Sequence, residues 1–181
     1  MKSEAASFLS ENRLTIYPAG VSDAEMVATI GRATFEETWA VHNTPEDMAL
    51  YLASSFSLNQ IRADLADPGN TFFLASYKGE IIGYAKLRTA KTPEPLAGTR
   101  CIEIERMYLL QAAKGNGIGS ALMDVCLNYA KSNAYEVVWL GVWGQNPAMQ
   151  FYQKHGFSWF GYHTFALGTA EDRDELMKRN L

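Results

Sequence analysis

The stretch QAAKGNGIGSALM, residues 111–123, sets glycines at 115, 117 and 119 ahead of a helical pattern, and its reading decides the fold. In a plain strand-to-helix link, glycine would merely turn the chain. Two nucleotide-binding loops fail on spacing. A phosphate loop GxxxxGK(S/T) puts its lysine after the glycines, whereas Lys114 precedes them. A dinucleotide fingerprint GxGxxG needs a third glycine where Ser120 stands and an acidic residue closing the next strand, whereas Glu136 opens that strand. What remains is a run of open amides at a helix N-terminus, suited to an anion with two or more phosphates.

Working outward, in RCIEIERMYLL (100–110) Ile102, Ile104 and Met107 mark a half-buried strand, and alternation puts Glu103 and Glu105 on one face, opposite Ile102 and Ile104. Before it, TFFLASY (71–77) and IIGYAKLR (81–88) flank Lys78–Gly79 as a β-hairpin, and KTPEPLAGT (91–99) reads as a loop. LTIY (14–17) is a short strand stopped by Pro18. VSDAEMVATIGRATFEETWA (21–40) predicts a helix with Ser22 and Glu25 at capping-box spacing and an apolar face of Met26, Val27, Ile30 and Phe35. A second helix follows Thr44, with Pro45, Glu46 and Asp47 in its first turn, breaks near Phe56 and runs to Ala66.

Downstream of the glycines, Leu122, Val125, Cys126 and Tyr129 keep helical spacing, and YEVVWLGV (135–142) reads as a strand buried on both faces. Asn146 and Pro147 open another helix ending at Gly156, with Lys154 and His155 in its last turn. FSWFGYHTFALG (157–168) and DELMKRNL (174–181) form a terminal hairpin. The order β, α, α, β, β, β, α, β, α, β, β predicts an α/β sheet with mixed strand directions and helices on both faces.

A chain of 181 residues suits one core, so residues 1–181 read as a single domain, with about residues 1–12 a flexible N-terminal extension. A composition 48% hydrophobic and 20% charged is that of a globular protein. A net charge of -4 with 16 scattered Lys and Arg argues against nucleic acid as a partner. Two cysteines make no disulfide framework, and no Cys/His spacing matches a metal site. Without an apolar run of about 18 residues, or a signal-peptide core in MKSEAASFLSEN, the chain reads as cytoplasmic and not as a membrane protein. The exposed terminal hairpin allows a homodimer.

The segment IERMYLLQAAKGNGIGSALM (104–123) resembles motif A of the GCN5-related N-acetyltransferases (GNAT), in which a strand, an Arg/Gln-x-x-Gly-x-Gly loop and a helix hold the pyrophosphate of acetyl-coenzyme A. Lys114 occupies the Arg/Gln position. WLGVWGQNPAMQFYQKHGF (139–157) is similar to the family's motif B. TFEETW (34–39) and GYHTFALGTAEDRDELMK (161–178) look like the bacterial PaiA-type spermidine/spermine acetyltransferases. The resemblance implies the GNAT fold, a mixed, mostly antiparallel sheet of six to seven strands with helices on both faces, splayed between strands 4 and 5. It also implies acetyl-CoA as co-substrate and a small-molecule amine, a polyamine first, as acceptor. A peptide or aminoglycoside acceptor is the alternative, and a non-catalytic acyl-CoA sensor the alternative of another class.

On that resemblance, Lys114, Gly115, Asn116, Gly117, Ile118, Gly119 and Ser120 cradle the diphosphate, while backbone around Met107, Tyr108 and Leu109 pairs with the pantetheine and supplies an oxyanion donor. Asn146 caps its helix and bonds the cofactor arm, and Lys154 either meets the phosphates or offsets the helix C-terminus. Tyr152 is the candidate proton donor to the departing thiolate, since a phenol with pKa about 10 stays protonated at neutral pH. Its alternative is a place in an apolar stripe with Met149 and Phe151. Glu105, with Glu103, is the candidate base acting through water; the alternative is a solvated strand face. Glu36, Glu37 and Trp39, with His42, form either an acidic aromatic wall for a polyamine or an exposed helix end. His155 and His163 read as structural. Cys126 falls on a buried helical stripe, which favours direct transfer over an acyl-enzyme.

Overall fold

The computed structural model describes residues 14–167 and 170–181, so the expected extension over residues 1–12 lies outside the described residues. Seven strands, β1 (Leu14–Ala19), β2 (Asn70–Tyr77), β3 (Glu80–Arg88), β4 (Cys101–Leu109), β5 (Val137–Trp143), β6 (Ser158–Leu167) and β7 (Ala170–Asn180), form one sheet in the order β1, β2, β3, β4, β5, β7, β6. It is flanked by helices α1 (Ala24–Trp39), α2 (Pro45–Ser55), α3 (Leu58–Ala66), α4 (Ile118–Ser132) and α5 (Ala148–Lys154). β1 with β2, β5 with β7 and β6 with β7 are antiparallel. β4 and β5 are parallel, pairing Cys101 to Glu103 with Val137 to Trp139. The register stops there although both strands run on, as expected where strands 4 and 5 splay.

The chain divides into two compact units. One comprises residues up to Lys86 together with Arg106–Leu122. Its core gathers Val27, Ile30, Phe35, Leu52, Phe56, Ile61, Phe72, Leu74 and Tyr84. α1 buries Ala24, Val27, Ala28, Gly31, Thr34 and Phe35 at three- and four-residue spacing, with Ile30 beside them. Met26, expected on that face, is 40% exposed and turned away from it. The cap at its start also differs from expectation. Ser22 sits inside a 3-10 turn, Val21–Asp23, and Asp23 instead bonds back to the amide of Gly20 at 2.8 Å. The break near Phe56 is real, and two hydroxyls fix the flanking helices: Thr44 accepts from Asp47 N and Ser57 from Gln60 N, each 3.2 Å. Such caps contribute about 1 kcal/mol each. α3 is pinned to β3 by an ion pair of Lys86 Nζ and Asp64 Oδ2, 2.7 Å apart and largely buried.

The other unit comprises Leu87–Glu105 and Met123–Leu181. Leu96, Cys101, Val137, Trp139 and Leu176 pack together in it. The opening of β4 departs from the half-buried pattern, because Cys101, Ile102, Glu103 and Ile104 are all buried. Alternation placed Glu103 and Glu105 on a shared face, but that face is covered where Glu103 lies. α4 buries Leu122, Met123, Cys126, Leu127 and Ala130, while Val125 and Tyr129 are half-buried at the edge of that stripe.

Candidate functional site

The glycine loop lies wholly in the first unit. β4 ends at Leu109, where Leu110 N donates to Ile82 O at 2.9 Å, and a 3-10 turn, Gln111–Ala113, leads to Lys114. Gly115 and Gly117 then take φ of +83° and +79°, the left-handed region in which a side chain is strained. A Cβ placed on Gly115 would meet nothing within 4 Å, so its glycine is required by backbone conformation and not by crowding. α4 closes its first bond from Ala121 N to Gly117 O at 3.0 Å. The amides of Ile118, Gly119 and Ser120 therefore precede the helical ladder and have no partner within it. Gly115 and Lys114 are exposed, while Asn116, Gly117, Gly119 and Ser120 are half-buried. Buried Ile118 anchors the turn beside Ala75 and Ala113. The result is a run of amides outside the helical ladder at the positive end of a 15-residue helix, the kind of terminus that suits an anion.

Met107, Tyr108 and Leu109 form the end of β4 against β3. Gly83 makes that approach possible, since a Cβ there would lie 2.5 Å from Tyr108 O and 2.3 Å from Leu109 Cδ2. The Tyr108 ring stacks on Tyr84 with centroids 6.1 Å apart, and its hydroxyl accepts from Trp39 Nε1 at 3.2 Å. Trp39 thus reaches the end of β4 from the last turn of α1, packed on Phe35 and edge-on to His42. Glu36 and Glu37 are exposed in the same turn. Glu37 Oε2 accepts the amide of Gln111 at 2.8 Å, so it touches the start of the turn that feeds the glycine loop. No basic residue stands in that last turn of α1.

In the second unit the two strand carboxylates share one guanidinium. Arg88 donates from Nε and Nη2 to Glu103, at 2.5 and 3.0 Å, and from Nη1 to Glu105 Oε1 at 2.5 Å. Two carboxylates two residues apart on one strand face repel, and a buried one demands a countercharge. The strand pattern did not identify Arg88, because it reported neither the burial of Glu103 nor the group that covers it. Oε1 of Glu105 is thereby engaged, and its Oε2 lies buried.

α5 carries Tyr152 and Lys154. Asn146 Oδ1 accepts Ala148 N at 2.9 Å, which leaves its Nδ2 as the group able to reach a ligand. Tyr152 is half-buried, its ring edge-on to Phe151 and Phe157 at 5.5 and 6.1 Å. Lys154 is exposed in the last turn, and His155 Nδ1 lies 2.8 Å from Phe151 O. Cys126 is fully buried on α4, and burial pushes its thiol up to about 12. Among the described residues no cluster of three His, Cys, Asp or Glu side chains could hold a metal ion, and no helix is long and apolar enough to cross a membrane.

The profile of the Acetyltransferase (GNAT) family matches residues 26–157. An uncharacterised N-acetyltransferase encoded in the pepI 3′ region of Lactobacillus delbrueckii subsp. lactis is 33% identical over 153 residues, 84% of this chain and 88% of that protein. An uncharacterised N-acetyltransferase of Mycobacterium tuberculosis (strain H37Rv) is 32% identical over 162 residues, 89% of this chain and 99% of its own. Among solved structures, the PaiA N-acetyltransferase of Thermoplasma acidophilum in complex with coenzyme A superposes with a TM-score of 0.73 at 18% identity, covering 93% of this chain and 99% of that one.

Proposed function

Because the chain belongs to the GNAT family of acetyltransferases, we propose that it transfers acetyl from acetyl-CoA to a primary amine of a small molecule, with a polyamine such as spermidine or spermine as acceptor. N-acetyl transfer with acetyl-CoA as co-substrate follows from the family. The acceptor, the residue roles and direct attack with both substrates bound are the finer part of the proposal.

The observation that carries it is the loop in which Gly115 and Gly117 hold left-handed backbone ahead of α4. Acetyl-CoA supplies a thioester carbonyl and a diphosphate by which to hold it. The amides of Gly115 to Ser120 bind the diphosphate, and the exposed Lys114 adds a positive charge. A backbone amide among Met107, Tyr108 and Leu109 faces the developing negative charge, a role that contributes roughly 3 kcal/mol where such donors are preorganised. Nδ2 of Asn146 and Nζ of Lys154 contact the cofactor arm. Tyr152 gives its proton to the leaving thiolate. Glu105 takes a proton from the amine through water. Cys126 plays no covalent part, since its buried thiol, pushed up to about 12, stays protonated.

For the acceptor, Glu36 and Glu37 with Trp39 offer charge and an aromatic face to an alkylammonium. Local helix energetics do not favour them: carboxylates in the last turn of a helix oppose its dipole by about 0.3–1 kcal/mol each. The resemblance of TFEETW (34–39) and of residues 161–178 to the PaiA-type spermidine/spermine acetyltransferases is the reason to look at polyamines first. We further read the chain as one catalytic domain, cytoplasmic like its co-substrate, and as a homodimer formed through the sheet edge at β6, where Trp159 and Tyr162 are 58% and 57% exposed. Light scattering at twice the 20.1 kDa chain mass checks the dimer.

The deciding experiment is release of free CoA from acetyl-CoA in the presence of spermidine, spermine, an aminoglycoside or a peptide. Spermidine or spermine should give the highest kcat/KM. Faster turnover of the aminoglycoside or peptide overturns the acceptor, and tight CoA binding without release on any amine overturns the enzyme in favour of a sensor.

A further inference from the structure

Glu37 does more than present charge at the end of α1. Its Oε2 accepts the amide of Gln111, a residue 74 positions on in the chain, at 2.8 Å. Gln111 opens the 3-10 turn between β4 and the glycine loop, and the first amides of any helical turn have no acceptor inside it. Along this segment the backbone is fixed in series. Leu110 N bonds Ile82 O at 2.9 Å, Gln111 N bonds Glu37, Ala113 N bonds Leu110 O at 2.9 Å and Lys114 N bonds Gln111 O at 3.1 Å. Gly115, with φ of +83°, comes next. Two residues on from Glu37, Trp39 bonds Tyr108 from the same helical turn, so α1 grips both the end of β4 and the entry to the loop.

We propose that Glu37 is a positioning residue for the diphosphate cradle, holding Gln111 N so that the amides from Gly115 to Ser120 are set before the ligand arrives. This rests on the acetyl-CoA reading of that loop. Preorganised donors bind without the cost of ordering them at the moment of binding. A carboxylate close to an anion site does not attract the anion, so what Glu37 supplies is the hydrogen bond and not the charge. That separates it from an acceptor-wall role, in which the charge is what matters.

The test titrates coenzyme A by calorimetry into the wild-type chain, Glu37→Ala and Glu37→Gln. Glutamine keeps a carbonyl oxygen for Gln111 N and loses only the charge. Glu37→Ala should weaken CoA binding about three- to tenfold, the range expected of one hydrogen bond. Glu37→Gln should stay within about twofold of wild type for CoA by the same measure. Hydrogen exchange at Gln111 N should quicken in Glu37→Ala and stay protected in Glu37→Gln. CoA affinity unchanged in Glu37→Ala, or lost as fully in Glu37→Gln, overturns the proposal. A wild-type chain that takes up no CoA overturns the underlying acetyl-CoA reading instead.

Discussion

Two residues in the second unit illustrate how differently one side chain can matter. Tyr152 is held by its ring against Phe151 and Phe157, contacts that phenylalanine would reproduce. Tyr152→Phe keeps those ring contacts and should lower kcat about a hundredfold, the lower end of what a positioned proton donor contributes. Turnover unchanged across the pH range would return Tyr152 to packing. Arg88 is the reverse case. It neutralises Glu103 and Glu105, whose side chains are only 8% and 17% exposed, and its own is 19% exposed. Arg88→Met leaves two neighbouring carboxylates without their cation, so unfolding by urea should show a loss of about 3 kcal/mol, the lower end for breaking a buried pair because the site is not fully closed. A loss under about 1 kcal/mol would mean that water already screens the pair.

At the scale of elements, glycine marks two separate demands around β4 and α4. At Gly115 the demand is left-handed backbone with open space around it, so Gly115→Ala should cost only about 1–2 kcal/mol of conformational strain, felt mainly as weaker CoA binding. At Gly83 it is close approach, with Tyr108 O 2.5 Å from where a Cβ would stand, so Gly83→Ala has to push the end of β4 aside. Denaturant melts should rank Gly83→Ala as clearly the more destabilising, and equal losses would refute that distinction. The glycine loop was legible because three glycines at alternate positions are a local pattern. Likewise Thr44 and Pro45 announce the start of α2, and Lys78–Gly79 the hairpin turn, where φ of +53° and +88° bear out a two-residue connection. What stayed hidden is long-range pairing: Asp64 with Lys86, Arg88 with Glu103, Glu37 with Gln111. Periodicity reports which face a residue occupies and carries nothing about which distant group covers that face. The solvated strand face, held as the alternative to a base at Glu103 and Glu105, fails at Glu103 for this reason, since that residue is buried.

For the molecule as a whole, the element order and sheet class follow from patterns of two and 3.6 residues, whereas global stability is coupled to groups that no pattern flags. Cys126 is one of them. Its thiol lies fully buried on α4, where desolvation of the thiolate pushes it up to about 12, while in an unfolded chain a thiol titrates near 8.5. The folded state therefore keeps a proton that the unfolded state has released between roughly pH 9 and 12. With more protons on the native form, raising the pH favours unfolding, so this group leaves stability unaffected below about pH 8 and erodes it above, by about 1.4 kcal/mol per pH unit. Tyrosines and lysines titrate in the same window, so the contribution is isolated by difference. Cys126→Ala should be less stable at neutral pH, because of the space left in the stripe of Leu122, Met123 and Leu127, yet lose stability less steeply as pH rises. Urea midpoints measured for both chains from about pH 8 to pH 10.5 should converge by about 1.4 kcal/mol per pH unit once past the ordinary thiol value. Parallel lines would show that the thiolate is solvated in the folded chain, and would reopen Cys126 as a nucleophile.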